Sequence, residues 1–202
     1  MELRTVSLSR EARSRLLDEA LALARPGDII LFNHRTSRRS RFIRFMTGCR
    51  MPHVCIYAGE GRVLGMLKKR VRYHPFERFF RDQYDIVILE GDPAYEVAML
   101  RWLGRAEVTL DLWIMGVFVA FERLAGTKRA RAMYRLRGVT CSGTVCDAIF
   151  SVHGARPEMP AMVHTPMDLE KILDTEARPC RLAVRLVPDL EGLPIHRPLR
   201  HA

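Results

Sequence analysis

Lysine is scarce in this chain of 202 residues, which holds only four lysines among its 33 basic residues. Against 23 acidic residues, the net charge of +10 is therefore carried almost wholly by arginine. Such a balance favours acidic partners, namely nucleic acid, anionic lipid headgroups or an acidic protein surface. The plainer interpretation is an arginine-rich solvated surface. The arginines are dispersed and no nucleic-acid-reading motif accompanies them, so nucleic acid is the weakest of these candidates.

The sequence also lacks a long hydrophobic run. Its most apolar segment, residues 110–121, is shorter than the roughly 20 residues that cross a bilayer. We expect a buried helix there, with an interfacial helix or the wall of an acyl-chain site as alternatives. The first 17 residues have no apolar core of the signal-peptide type, so we expect a cytoplasmic protein. A secretion route without a cleaved signal would leave no trace in the sequence.

A compact disulfide framework is absent as well. The five cysteines are an odd number without disulfide-like spacing, which suits a reducing compartment. A zinc site is one alternative use for them, built from Cys49, His53 and Cys55, with Cys141 and Cys146 as further ligands. This spacing is not a standard zinc pattern, so we expect neither a metal nor a cofactor.

Strand and helix patterns alternate without internal repeats, and the length suits one domain of the α+β class built around an antiparallel sheet. Residues 1–25 should form a packing helix that Ser9 caps, residues 26–187 the main domain with a helical insertion around 94–137, and residues 188–202 an irregular tail. The hydrophobic patterns predict further helices after Asn33, after Pro93, after Cys141 and after Thr165. They predict strands at 28–32, 53–58, 62–67, 70–73, 85–89 and 180–187.

The stretch that carries chemical information runs from Gly138 to Ser151. Small and β-branched residues lead into Cys141, and an apolar run with helical spacing follows. Cys141 should therefore lie at a helix N-terminus, where unpaired backbone N–H groups and a partial positive charge favour a thiolate. The structural alternative is a small buried residue at a strand-to-helix junction.

His53 opens a predicted strand, at the mouth rather than in the middle of the element. A histidine there commonly serves as a hydrogen-bonded structural residue. An imidazole on a strand that faces a thiol on a helix can also accept the thiol proton and return it to a leaving group. Because such pairs meet only in the folded chain, their separation in sequence is no objection.

Five segments follow one another in a fixed order along roughly residues 26–187: GDIILF (27–32), FIRFMTG (42–48), PHVCIYAGEGRVL (52–64), CSGTVCDAIF (141–150) and HTPMDLEKIL (164–173). In this order they resemble the circularly permuted papain-like proteins of the NlpC superfamily. The resemblance is closest to the YiiX/YaeF-like group and more distant to the lecithin:retinol acyltransferase-like proteins.

The resemblance implies a permuted papain-like fold, with a small antiparallel barrel-like sheet packed against helices. It implies Cys141 as nucleophile, His53 as general base, and an oxyanion site at the Cys141 backbone N–H and Ser142. The activity would be that of a thiol hydrolase, peptidase-like amidase or acyltransferase. It would act on an amide or ester of a peptide, an amino acid, another small molecule or a lipid, with an anionic membrane surface as a further partner.

This sequence departs from the pattern at two glycines. Gly65 stands where a polar residue that orients the imidazole is expected, and Gly143 replaces a Glu or Gln. Candidates for the third polar group are Tyr73, His74 and Asn33. A degenerate binding module with the same fold is therefore the alternative function. Neither the substrate nor the oligomeric state follows from the sequence.

Overall fold

The computed structural model describes residues 3–66, 70–81, 83–104, 141–154, 166–175 and 178–188. The predicted helices at 110–121 and in the rest of the insertion, and the tail beyond 188, lie outside these ranges. None of the described helices is long and apolar enough to cross a membrane.

One seven-stranded sheet organises the described chain. Its strands are β1 (Arg4–Leu8), β2 (Ile29–His34), β3 (His53–Gly59), β4 (Arg62–Met66), β5 (Val71–Pro75), β6 (Tyr84–Leu89) and β7 (Cys180–Pro188). Their order across the sheet is β1-β7-β6-β2-β3-β4-β5. All neighbours are antiparallel except β1 and β7, which are parallel.

The predicted α+β class is confirmed, but the prediction of a barrel-like sheet is wrong. The sheet stays open, with β1 at one edge and β5 at the other. Strand β1 has no counterpart in the sequence prediction, because its short polar sequence, RTVSL, gives no strand-length apolar pattern. Pairing of β1 along β7 widens the sheet at one edge instead of closing it.

The helices begin and end close to their predicted bounds. They are α1 (Arg10–Leu23), α2 (Arg38–Thr47), α3 (Ala94–Leu100), α4 (Cys141–Val152) and α5 (Pro166–Thr175), with a 3₁₀ turn at Phe76–Phe79. The Ser9 side chain accepts the Ala12 N–H and so caps α1 as predicted. Gly48 ends α2 with a left-handed φ of 71°, which glycine adopts without strain.

Both faces of the sheet are buried, and each has its own apolar cluster. Helices α3, α4 and α5 cover one face, which we call the α4 face, where Val54, Ile56 and Leu64 pack with Val145 of α4. Helix α1 and the 3₁₀ turn cover the other, the α1 face, where Phe32 and its neighbours pack. Alternate residues of every strand therefore enter different layers of the molecule.

A buried carboxylate fixes the start of β2 to β7. Asp28 is fully buried and accepts the backbone N–H groups of Arg25, at 2.8 Å, and of Gly91, at 3.0 Å. Arg181 of β7 places its Nε atom 2.8 Å from the same carboxylate, as an ion pair rather than an aligned hydrogen bond. This junction anchors β2, the strand that pairs with the His53 strand.

Candidate active site

Cys141 is the first residue of α4, as the sequence predicts, and its side chain is partly buried. The backbone N–H groups of this first turn have no partner within the helix, so the positive end of the helix dipole lies at the thiol. Thr144 donates its hydroxyl to the Cys141 carbonyl at 2.9 Å. The turn is thus held by a local contact and presents a thiol in a setting that favours its anion.

The fold brings Cys141 to the beginning of β3. Its Sγ atom lies 3.9 Å from the carbonyl oxygen of Pro52, the residue immediately before His53. Residues 89 positions apart in sequence therefore meet at one end of the sheet. This contact brings the Cys141 thiol close to the backbone that carries His53.

The His53 ring is held by two contacts of its own. Its Nε2 atom lies 3.2 Å from the Ser40 hydroxyl oxygen of α2. The ring also stacks on Phe32 of the neighbouring strand, with centroids 5.3 Å apart and planes at 17°. These contacts place the imidazole toward the α1 face, in line with Cys55 on the same strand.

Cys141, by contrast, packs against the cluster on the α4 face. The thiol and the imidazole thus approach the start of β3 from different sides of the sheet. A direct proton transfer between them requires the His53 side chain to leave its Ser40 contact and turn toward the thiol.

The environment of His53 keeps the ring neutral at pH 7. Burial, and secondarily the positive charges of Arg39 and His34, lower its pKa to about 4. A neutral imidazole has one ring nitrogen free of a proton, which is the state a general base needs. A base with such a low pKa is weak, however, until a nearby anion raises the pKa.

Ser40 is the polar partner of the imidazole, and sequence reasoning missed it. Its side chain is 1% exposed, on the first turn of a helix that Ser37 caps. A serine in an Arg- and Ser-rich segment is expected to be exposed to solvent. Only the folding of α2 over the start of β3 makes Ser40 a candidate for orienting His53.

The three residues proposed for that role lie elsewhere. Tyr73 donates its hydroxyl to Glu96 at 3.1 Å, and Asn33 donates its amide to Asp85 at 3.0 Å. His74 is buried in β5 opposite Val63, well along the sheet from the start of β3.

Gly65 lies directly opposite Cys55 in the β3–β4 pair. A Cβ atom at position 65 would come within 2.5 Å of the Cys55 Sγ atom, which is closer than side-chain atoms approach. The position that the family resemblance assigns to an orienting residue therefore has no room for a side chain while Cys55 is present.

Cys55 itself is a buried, protonated thiol. Burial raises its pKa well above the ordinary thiol value, and the charge of Cys141 raises it further. Cys55 is fully buried, whereas Cys141 is only partly buried.

Ser142, which was predicted for the oxyanion site, is fully buried in the first turn of α4. Cys146, a further ligand of the zinc alternative, is buried in the α4-face cluster. Across the described ranges, no three His, Cys, Asp or Glu side chains are grouped closely enough to hold a metal ion. The zinc alternative from Cys49, His53 and Cys55 therefore has no geometric support.

Comparison of the chain with protein-family models, curated proteins and solved structures finds no match.

Proposed function

We propose that this protein is a thiol-dependent acyl-transfer enzyme in which Cys141 is the nucleophile and His53 the general base. The observation that carries the proposal is the position of Cys141, a partly exposed thiol at a helix N-terminus, against the carbonyl that precedes His53. Fold and charge are consistent with other functions, whereas this junction supports the thiol chemistry in particular.

The reaction follows from the groups present. His53 accepts the thiol proton, and the Cys141 sulfur attacks the carbonyl carbon of an amide or ester. The carbonyl oxygen becomes an oxyanion, and the positive end of α4, with the backbone N–H of Cys141 as one donor, stabilises it. Collapse breaks the bond to the leaving amine or alcohol, which takes the proton from His53 and leaves an acyl-cysteine. Water or an amine then releases the acyl group by the same steps in reverse.

The low pKa of His53 sets a condition on this mechanism. Proton transfer from an ordinary thiol, with a pKa near 8.5, to a base with a pKa of about 4 costs roughly 6 kcal/mol. The helix dipole lowers the thiol pKa, and a thiolate close to the ring raises that of His53. The pair therefore works only when the ring turns toward Cys141.

A degenerate binding module of the same fold is the second candidate. The contacts of His53 with Ser40 and Phe32 favour it, because they hold the ring away from the thiol. In such a module the cleft would bind a ligand without forming an acyl-cysteine.

Turnover of simple acyl substrates separates the two. The unaltered protein should release p-nitrophenol from short- and long-chain p-nitrophenyl esters, and intact-mass spectrometry should detect an acyl adduct at Cys141. Cys141→Ser should lose both signals, while Cys146→Ser, a buried cysteine on the same helix, should retain them. Equal turnover by the Cys141→Ser variant contradicts the proposal, and absence of any adduct on the unaltered protein favours the binding module.

A further inference from the structure

A cavity of about 730 Å³ opens on the α4 face beyond the ends of β2 and β6. Six polar residues on its wall define its chemistry, and we call it the arginine pocket: Asn33, Arg41, Arg44, Arg50, Asp85 and Arg185. The pocket contains neither Cys141 nor His53, so its chemistry is separate from the acyl-transfer site.

The charge of the arginine pocket is positive. Asp85 is already matched, because Arg35 and Arg185 approach the same carboxylate oxygen at 3.2 and 3.0 Å. Arg41 and Arg44 form no salt bridge with any carboxylate in the described parts of the chain. The nearest further carboxylate, Glu170, accepts the backbone N–H of Arg50 and lies within its electrostatic reach. The pocket thus holds more guanidinium groups than it has anions to pair with them.

Two buried polar atoms of the pocket wall also have no partner within the described residues, the Arg44 Nε and the Asn33 Oδ1. Asn33 is 1% exposed. Its amide nitrogen must face Asp85, because a carboxylate only accepts hydrogen bonds, and this fixes the amide oxygen in the opposite direction. Buried polar atoms are rarely left unpaired, so each of the two calls for a partner from outside the chain.

The two atoms need opposite partners. Arg44 Nε is a donor and needs an acceptor, and Asn33 Oδ1 is an acceptor and needs a donor. A phosphate monoester provides both in one group, since its anionic oxygens accept from guanidinium forks and its P–OH, when protonated, donates. A sulfate has the same shape and anionic oxygens but no hydroxyl.

We propose that the arginine pocket binds a phosphate monoester, with Arg41 and Arg44 on its anionic oxygens and Asn33 on its hydroxyl. Phe45 borders the pocket with its side chain 81% exposed and offers an apolar contact to the rest of the ligand. The ester is either a soluble phosphate or the headgroup of a lipid such as phosphatidic acid.

Calorimetric titration of the full chain with inorganic phosphate tests the pocket. At a pH of about 6, near the second pKa of a phosphate monoester, about half of a monoester carries the hydroxyl. Every inorganic phosphate ion carries at least one hydroxyl at this pH, so all of the probe can donate to Asn33. We expect saturable binding of phosphate and weaker binding of sulfate. Arg44→Gln should weaken phosphate binding about tenfold or more, because a charge-assisted hydrogen bond is lost. Arg41→Gln, an exposed position on the same helix, gives a second test if the Arg44 variant does not fold.

Arg13→Gln, on the exposed side of α1, is the matched control because it removes the same charge far from the pocket. An equal loss of binding in that variant, or no saturable phosphate binding by the unaltered protein, would overturn the proposal. So would sulfate binding as tight as that of phosphate. Cys141→Ser should bind phosphate normally, so failure of this proposal and failure of the acyl-transfer proposal are separate results.

Two further ligands identify the source of the phosphate. Glycerol 3-phosphate represents a soluble ester, and phosphatidylcholine vesicles with and without phosphatidic acid represent a membrane. Binding of either ligand that is lost in Arg44→Gln supports the pocket. The ligand that binds shows whether the phosphate is soluble or part of a membrane. Absence of binding to both contradicts it.

Discussion

Gly65 and Cys55 face each other across β3 and β4 so closely that a side chain at one excludes the other. A Cβ atom at Gly65 would lie 2.5 Å from the Cys55 Sγ atom and 3.0 Å from its Cβ. Position 65 therefore cannot carry a side chain that orients the imidazole while Cys55 is present. The imidazole contacts the Ser40 hydroxyl instead, with its Nε2 atom 3.2 Å from that oxygen.

Gly65→Ala should destabilise the protein by about 1–3 kcal/mol, the usual cost of overpacking a core. Removing the Cys55 sulfur should reduce this loss of stability. Gly65→Ala should therefore destabilise the Cys55→Gly variant less than it destabilises the unaltered chain. Urea unfolding of the four proteins gives the coupling free energy. Additive effects would show that the two positions do not compete for space.

Ser40→Ala should raise ester turnover by up to about tenfold, the worth of one neutral hydrogen bond. The reason is that it removes the contact that holds the His53 ring away from Cys141. The titration of the His53 ring, followed by NMR, should shift in the same variant, and Ser40→Thr should restore both.

Ser37→Ala is the control for this prediction. It removes the cap of α2, at a typical cost of about 1 kcal/mol, without touching the ring. If Ser37→Ala raises turnover as far as Ser40→Ala does, Ser40 acts only through the stability of α2.

Stability should fall at acidic pH because of His53. The folded pKa of about 4 lies below the ordinary value of 6.5. Between these values the unfolded chain binds a proton at this site that the folded chain does not, so the free energy of unfolding falls as the pH falls. The full difference is about 3 kcal/mol.

The comparison is between the unaltered protein and His53→Gln, by urea unfolding at pH values from 7 to 4. The variant should lose less stability over this range, and its curve should approach that of the unaltered protein at the acidic end. Parallel curves would contradict the assignment.

Asp28→Ala should destabilise the fold by about 2–4 kcal/mol, since the guanidinium of Arg181, 17% exposed, keeps only the more distant carboxylate of Glu90, at 3.4 Å. Two backbone N–H groups lose their acceptor as well. Arg4→Gln provides a contrast. It breaks an exposed pair with Glu19, and we expect a change within about 1 kcal/mol. Equal losses would mean that the Asp28 junction is not a structural anchor.

Local sequence signals predicted most elements of the described fold. The cap at Ser9 and the apolar periodicity after Cys141 each act within a few residues. The open sheet was not predictable in this way, because β1 is fixed by its pairing with a strand some 180 positions away.

The side of the sheet on which His53 lies could not be predicted from the sequence either. Val54, Cys55, Ile56 and Tyr57 are all buried, so β3 has no polar face to show which residues meet which helix. Period-two alternation puts His53 and Cys55 on the same face of the sheet. Which helix covers that face depends on how α1 and α4 pack in the folded chain. The candidate nucleophile was predictable because it depends on one helix start.

The rate of alkylation of Cys141 against pH, in the unaltered protein and in His53→Ala, tests the central claim most directly. Peptide mass spectrometry resolves Cys141 from Cys180, an exposed cysteine that serves as the internal reference. Partial desolvation raises the pKa of the Cys180 thiol above its ordinary value. We predict that Cys141 reacts with a midpoint well below the ordinary thiol value of about 8.5. Without His53 the midpoint for Cys141 should move to higher pH, while the midpoint for Cys180 should stay unchanged. A midpoint for Cys141 at or above the ordinary value, identical in both proteins, would contradict the account of Cys141 and His53 as a working pair.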